Sequence, residues 1–266
     1  MFGKKATVAA YLVSAACLAA AGCSDDSTGP EPVPMGTVHF DMTHMVGPDP
    51  LEFNETRYES VGGRMYSVTS LYYYLCNVTF ISPDGNVDFN GVHYVDASEK
   101  STGTMSYEVP ARHYDGVKFT FGLDGAHNVS NARTAPEEVH MQWPDNWGGG
   151  YHYMKLEGFV LDDEGISFGY KTHTGRFHLV AEPDSVANPH EFSFILETHM
   201  TVIEGDTSGV EVIMDTREWY RNPNAIDHLQ HVQGIMDNTA MQNKIEQNGA
   251  SVFRVGKITG EQGHDD

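Results

Sequence analysis

The chain has 266 residues, 40% of them hydrophobic, and carries 37 acidic against 16 basic side chains for a formal net charge of −21. So acidic a protein is a poor partner for nucleic acid and for anionic lipid faces, and a tolerant one for cations or basic proteins. Beyond its first segment, about 230 residues remain, which suits one large all-β domain or a domain with an appendage.

Residues 1–22 read as a secretion signal. Lys4 and Lys5 form a short basic start, and the apolar run 8–21 is too short and too rich in small residues to span a bilayer. It ends Leu18-Ala19-Ala20-Ala21-Gly22-Cys23, which resembles a bacterial lipobox, although Ala20 stands where leucine is preferred. Cleavage before Cys23 makes that cysteine the lipidated terminus; an ordinary signal cut near Ala21 is the alternative. Cutting there removes two lysines and no acid, so the charge moves to about −23. Residues 23–36 form a polar tether with Pro30, Pro32 and Pro34, unable to bury surface. Together these place the protein in a bacterial cell envelope, lipid-anchored at the outer membrane or facing the periplasm.

Residues 37–222 read as a β body. In 38–46, Phe40, Met42, His44 and Val46 share one face, so His44 points with the apolar set. A packed core histidine and a ligand in a dry pocket are both open for it. Further strands are expected over 64–81, 92–95, 104–109, 116–122, 155–161, 166–170, 176–181, 191–202 and 209–214, separated by turns such as Ser82-Pro83-Asp84-Gly85-Asn86. Many short strands without helix–strand alternation predict an all-β antiparallel sandwich.

The stretch from His140 to Gly158, HMQWPDNWGGGYHYMKLEG, stands apart. Pro144 excludes a central strand there, Gly148 to Gly150 free the backbone, and the chain then enters an alternating segment carrying His152. An aromatic loop therefore feeds a histidine-bearing strand, a common place for binding chemistry.

Residues 223–266 change character. Residues 224–247 have helical composition broken at Asp237-Asn238, predicting two short helices, with His228 and His231 on one solvated face. A last strand or extended tail is expected over 251–258. The sandwich thus carries a short C-terminal helical appendage.

Only Cys76 falls inside the fold, so no intradomain disulfide forms, and a buried inert thiol is expected. There is no G-x-S-x-G elbow, P-loop, G-x-G-x-x-G, H-E-x-x-H or C-x-x-C-H, and the acids are scattered. Nothing argues for an enzyme. Histidine and methionine stand out instead: all 14 histidines lie beyond the signal, and Met42-x-His44-Met45, His140-Met141, His152-x-Met154 and His199-Met200 cluster. Imidazole suits copper and zinc, and thioether selects Cu(I).

Several stretches resemble the MbnP-like copper-binding proteins, whose relatives include methanotroph surface copper proteins. They are Phe40-x-x-x-His44 with Gly47-Pro48-Asp49-Pro50-Leu51, the run Tyr66 to Val78, Val109-Pro110-Ala111 with Tyr114 to Phe119, and Tyr170-x-x-His173-x-Gly175. Most specific is Met141-x-Trp143 through Trp147 to Gly158; Gly234 to Asn238 and Asn248 to Phe253 match the family's ending.

The resemblance implies a β-sandwich holding one copper through histidines and, in some members, a kynurenine made from tryptophan with a dihaem peroxidase-like partner. By motif it implies His44 and His173 as ligands, with His152 beside them. It implies Trp147, and after it Trp143, as the oxidised residue. Asp41 or Glu157 is expected to fix an imidazole's second nitrogen. The competing reading is a metal-free surface adhesion or ligand-binding module with Trp143, Trp147, Tyr151 and Tyr153 as an aromatic platform. A redox enzyme in which copper turns over is the third.

Overall fold

β1 (Met35–Val46) buries Val38, Phe40, Met42 and Val46 by simple alternation. The computed structural model describes residues 32–176 and 190–262. After β1 come β2 (Asp49–Pro50), β3 (Tyr58–Glu59), the long β4 (Met65–Ile81), β5 (Val87–Asp96), β6 (Thr104–Pro110) and β7 (His113–Phe121). Then follow β8 (His152–Leu161), β9 (Ser167–Gly175), β10 (Phe192–Thr201), β11 (Thr207–Asp215), α1 (Thr239–Asn248), β12 (Phe253–Thr259) and β13 (Glu261–Gln262). The strand expected over 176–181 lies almost wholly outside the described residues, as do Cys23, the signal and most of the tether. No helix among the described residues is long and apolar enough to cross a membrane.

Two sheets pack face to face as an all-β sandwich. The first runs β12-β11-β1-β2, with β6 also on β1. The second runs β13-β10-β7-β4-β8-β9, with β3 and β5 also on β4. Most pairs are antiparallel, but β1 and β11 are parallel, from Thr37↔Thr207 to Met45↔Asp215. β4 is long because it serves two neighbours along one edge. Tyr66 to Tyr73 pair with β8, and Leu75 to Ile81 pair with β7, while β5 holds the other edge.

The tail is not an appendage separable at residue 222. β12 returns to pair β11, β13 returns to pair β10, and Phe253 stacks on Phe194 at 4.8 Å in the core. Apolar burial explains the difference: Ile245, Val252 and Phe253 belong to the same core as Phe40 and Phe119. One expected helix is α1; the other is a 3-10 turn, His228–His231. Its histidines are not solvated but 1% and 0% exposed. His228 stacks on Tyr66 at 4.1 Å and lies 4.0 Å from Tyr220.

A second, smaller core covers the outer face of the second sheet. Alternation sends Leu71, Tyr73 and Leu75 inward and Tyr72 and Tyr74 outward. Tyr74, Leu123, Met141, Tyr151 and Tyr153 are buried there beneath the 122–151 segment.

Candidate metal centre

That covering segment is pinned at several points. Arg133 lies over the Tyr74 ring at 5.0 Å and pairs with Glu138 at 3.0 Å, and Tyr74 donates to the same carboxylate at 2.9 Å. Gly150 N donates to Ser130 Oγ at 2.7 Å, and Tyr151 N to Asn128 Oδ1 at 2.8 Å. As Pro144 requires, Trp143 to Trp147 form no strand but a 3-10 turn, Asp145–Trp147. Gly148, Gly149 and Gly150 then take φ of 106°, 64° and 83°, a run that residues with a Cβ resist. This folds Trp143 back over the entrance to β8, where its backbone N–H donates to Gly150 O at 2.9 Å.

Three of the singled-out side chains meet here. The Trp143 ring is edge-on to His152 at 4.9 Å, and His152 is edge-on to His173 at 5.0 Å and 89°. β8 and β9 carry the two histidines, which are 5% and 8% exposed. Gly175 leaves room for the indole, since a Cβ there would come within 2.6 Å of it.

Hydrogen bonding fixes both tautomers. His152 Nδ1 lies 3.0 Å from Met141 O, which can only accept, so Nδ1 carries the proton and Nε2 the lone pair. That Nε2 is buried and has no hydrogen-bond partner within the protein. Burial first, and the neighbouring His173 second, pull His152 down to about 3, so the ring is neutral. His173 Nε2 lies 2.6 Å from Glu157 Oε1 and donates to it, leaving Nδ1 with its lone pair. This hydrogen bond is the leading cause that holds Glu157 below the usual carboxylate range. Of the two carboxylates expected to orient an imidazole, Glu157 does so, whereas Asp41 accepts from Thr104 Oγ1 at 2.7 Å. Two imidazoles side by side, each with one nitrogen tied by a hydrogen bond, are a donor type that suits copper or zinc.

His44 is placed elsewhere. Its Nε2 is 2.9 Å from Tyr73 Oη, and burial lowers it to about 4. Tyr73 pairs with Met154 and shares its inward face, whereas His173 pairs with Lys155 and faces outward. The sheet therefore separates His44 from the His152–His173 pair. His44 instead borders an open cleft of about 250 Å³ with Asp96, Glu99 and Lys100. Trp147 is also set back: its ring is 6.3 Å from Trp143, and its carbonyl accepts from Trp143 Nε1 at 3.1 Å. The tryptophan against the histidines is Trp143. The aromatic platform of the competing reading does not exist as a surface, because Trp143, Tyr151 and Tyr153 are 2%, 0% and 1% exposed.

Sequence reasoning missed the Met141 carbonyl, which no side-chain pattern announces. It also missed two triads whose donor atoms lie within 4.8 Å of one another, Cys76–Asp124–His127 and His113–Asp115–His199. In the first, burial pushes the thiol up to about 11, in keeping with an inert cysteine. The Asp124 carboxylate already accepts from Asn77, Ala126 and His127.

A search of curated proteins finds no match. Among solved structures the chain is similar to MbnP from Methylosinus trichosporium, at 13% identity and a TM-score of 0.48, over 73% of this chain and 81% of that one. The sequence profile of the MbnP family matches residues 35–239, most of the sandwich and its 3-10 turns, and the chain belongs to that family.

Proposed function

We propose that the protein is an exported, lipid-anchored copper-binding protein of the bacterial envelope, serving copper acquisition, storage or delivery. One copper is held by His152 Nε2 and His173 Nδ1. The observation that supports this is the orphaned, buried Nε2 of His152, on a ring packed edge-on against a second imidazole whose Nε2 is held by Glu157. Two imidazoles hold Cu(I) in low coordination. In this reading the protein acts as a binder.

In this reading Trp143 is the tryptophan that supplies a third donor after oxidation to kynurenine. It touches His152, and a cleft of about 260 Å³ lined by Ser130, Gln142 and Asp145 reaches it from solvent. This oxidation cleaves the indole C2–C3 bond with two oxygen atoms from peroxide or dioxygen and releases the C2 carbon as formate on hydrolysis, and a dihaem peroxidase-like partner is the catalyst it calls for. Cys23 supplies the anchor.

The test is metal analysis of the chain purified from copper-supplied cells, with and without such a partner. We expect about one copper per chain, lost in His152→Ala and in His173→Ala and kept in His44→Ala. Peptide mass mapping should find any modification at Trp143, not Trp147. A parent protein without copper even after co-expression with the oxidising partner would sink the reading.

A further inference from the structure

A second group of donors lies on other strands, at the β7–β10 pair. The pairing passes from Glu197↔Gly116 to Met200↔Tyr114, so Thr198 and His199 together oppose the single residue Asp115. This is a β-bulge, the device by which strands re-aim a side chain. It is built at a backbone cost, since His199 has φ of +45°, a region that side chains with a Cβ seldom adopt. Thr198, the other bulged residue, is buried, while His199 is turned to solvent. Across the bulge, His113 and Asp115 lie two apart on β7, with His113 Nε2 3.2 Å from Asp115 Oδ1. The His113 and His199 rings lie nearly parallel, 26° apart in plane, with centroids 6.4 Å apart.

We propose that His113, Asp115 and His199 form a second site, for a divalent transition-metal ion, separate from the His152–His173 pair. Their donor atoms lie within 4.8 Å of one another. Donors bound tetrahedrally to one ion at about 2.1 Å stand about 3.4 Å apart, so the set closes with at most about 1.4 Å of side-chain adjustment. The second nitrogen of His113 is also provided for, because Nδ1 lies 3.4 Å from Thr201 Oγ1, its register partner. When Nδ1–H donates to that hydroxyl, the Nε2 lone pair confronts the Asp115 carboxylate. Two acceptors facing each other are reconciled by a cation between them. The His113 and Asp115 side chains are 40% and 48% exposed, so an ion enters from water and keeps water on its remaining positions. Two imidazoles, one carboxylate and water form a harder donor set than the buried pair. It suits zinc or Cu(II) rather than Cu(I).

The experiment is calorimetric titration of the full chain with Zn²⁺, beside His199→Ala, His113→Ala and Asp115→Asn. His199 is exposed, so its removal leaves the core intact. The expected result is a zinc-binding step whose affinity falls at least about tenfold in each histidine variant and is kept in His152→Ala and His173→Ala, with copper content at the His152–His173 pair unchanged. Cobalt substitution should give a visible spectrum that His199→Ala abolishes. Undiminished zinc affinity in His113→Ala and His199→Ala would overturn the proposal. So would zinc binding lost only in His152→Ala or His173→Ala, which would place the ion at the buried pair. Either result leaves the copper reading standing on its own test.

Discussion

At the residue scale the Glu157 carboxylate does the most with the least. It is half-buried on β8 and holds the β9 histidine in one tautomer. Glu157→Gln keeps the shape and removes the charge. Copper affinity should fall about 10- to 100-fold with the fold retained, read by competition with a chromogenic chelator and by circular dichroism. An unchanged affinity would mean that the His173 tautomer is set otherwise. Gly175 makes a different demand, for room. Gly175→Ala should destabilise the protein by about 1–3 kcal/mol through overpacking against Trp143, measured as a shifted urea midpoint. Its emission spectrum should shift too, since Trp143 must move.

At the scale of elements, α1 begins at Asn238, whose side chain accepts from Met241 N at 3.0 Å. Asn238→Ala should cost about 1 kcal/mol, seen in chemical denaturation, with copper binding unaffected, since α1 meets the site through Gln242 rather than through its cap. That residue is buried and meets the strand end by accepting from Gly175 N at 3.2 Å. Much of this level was legible in the sequence. Alternation placed β1 but began it three residues late, composition and turn signals placed β4 and β10 to within a residue at each end, and Pro144 with the glycine run marked a loop entering β8. Alternation also put His44 on an inward face, but it says nothing of which sheet surface another histidine occupies, so His44 and His173 looked compatible. Spacing put His228 and His231 on one side of an expected helix. It could not show that this side packs on Tyr66 and Tyr220, because that depends on pairing across the chain. Trp143 and Trp147 are four apart in one loop, and only the left-handed glycines decide which of them folds back onto β8.

For the whole molecule, the buried histidines set an acid limit on stability. In the unfolded chain His228 and His231 protonate near 6.5; burial in the fold lowers them to about 3 and about 4. Between these values the unfolded state binds more protons, so their contribution is full above about pH 6.5 and is lost as pH falls toward 4. The loss should reach several kcal/mol. Urea midpoints taken from neutral to mildly acid pH should fall over this window. The slope should be shallower in His228→Phe, which keeps an aromatic ring between the two tyrosines. A pH-independent midpoint would show that water reaches these rings.

The parallel pairing of β1 with β11 has a kinetic consequence. β1 forms the middle of its sheet, yet its partner lies roughly 170 residues further on, and such long-range closure is slow to nucleate. A chain emerging from its N-terminal end therefore carries β1 with a bare edge until almost the whole sandwich is out. The other sheet, where β4, β5, β7, β8 and β9 lie close in sequence, can assemble first and offer its inner face as a template. The first sheet then closes late, in one step that brings both ends of the domain together. A truncation that removes β11 and β12 should leave one edge of β1 bare and sticky, and the protein prone to self-association through that edge, read by size-exclusion chromatography.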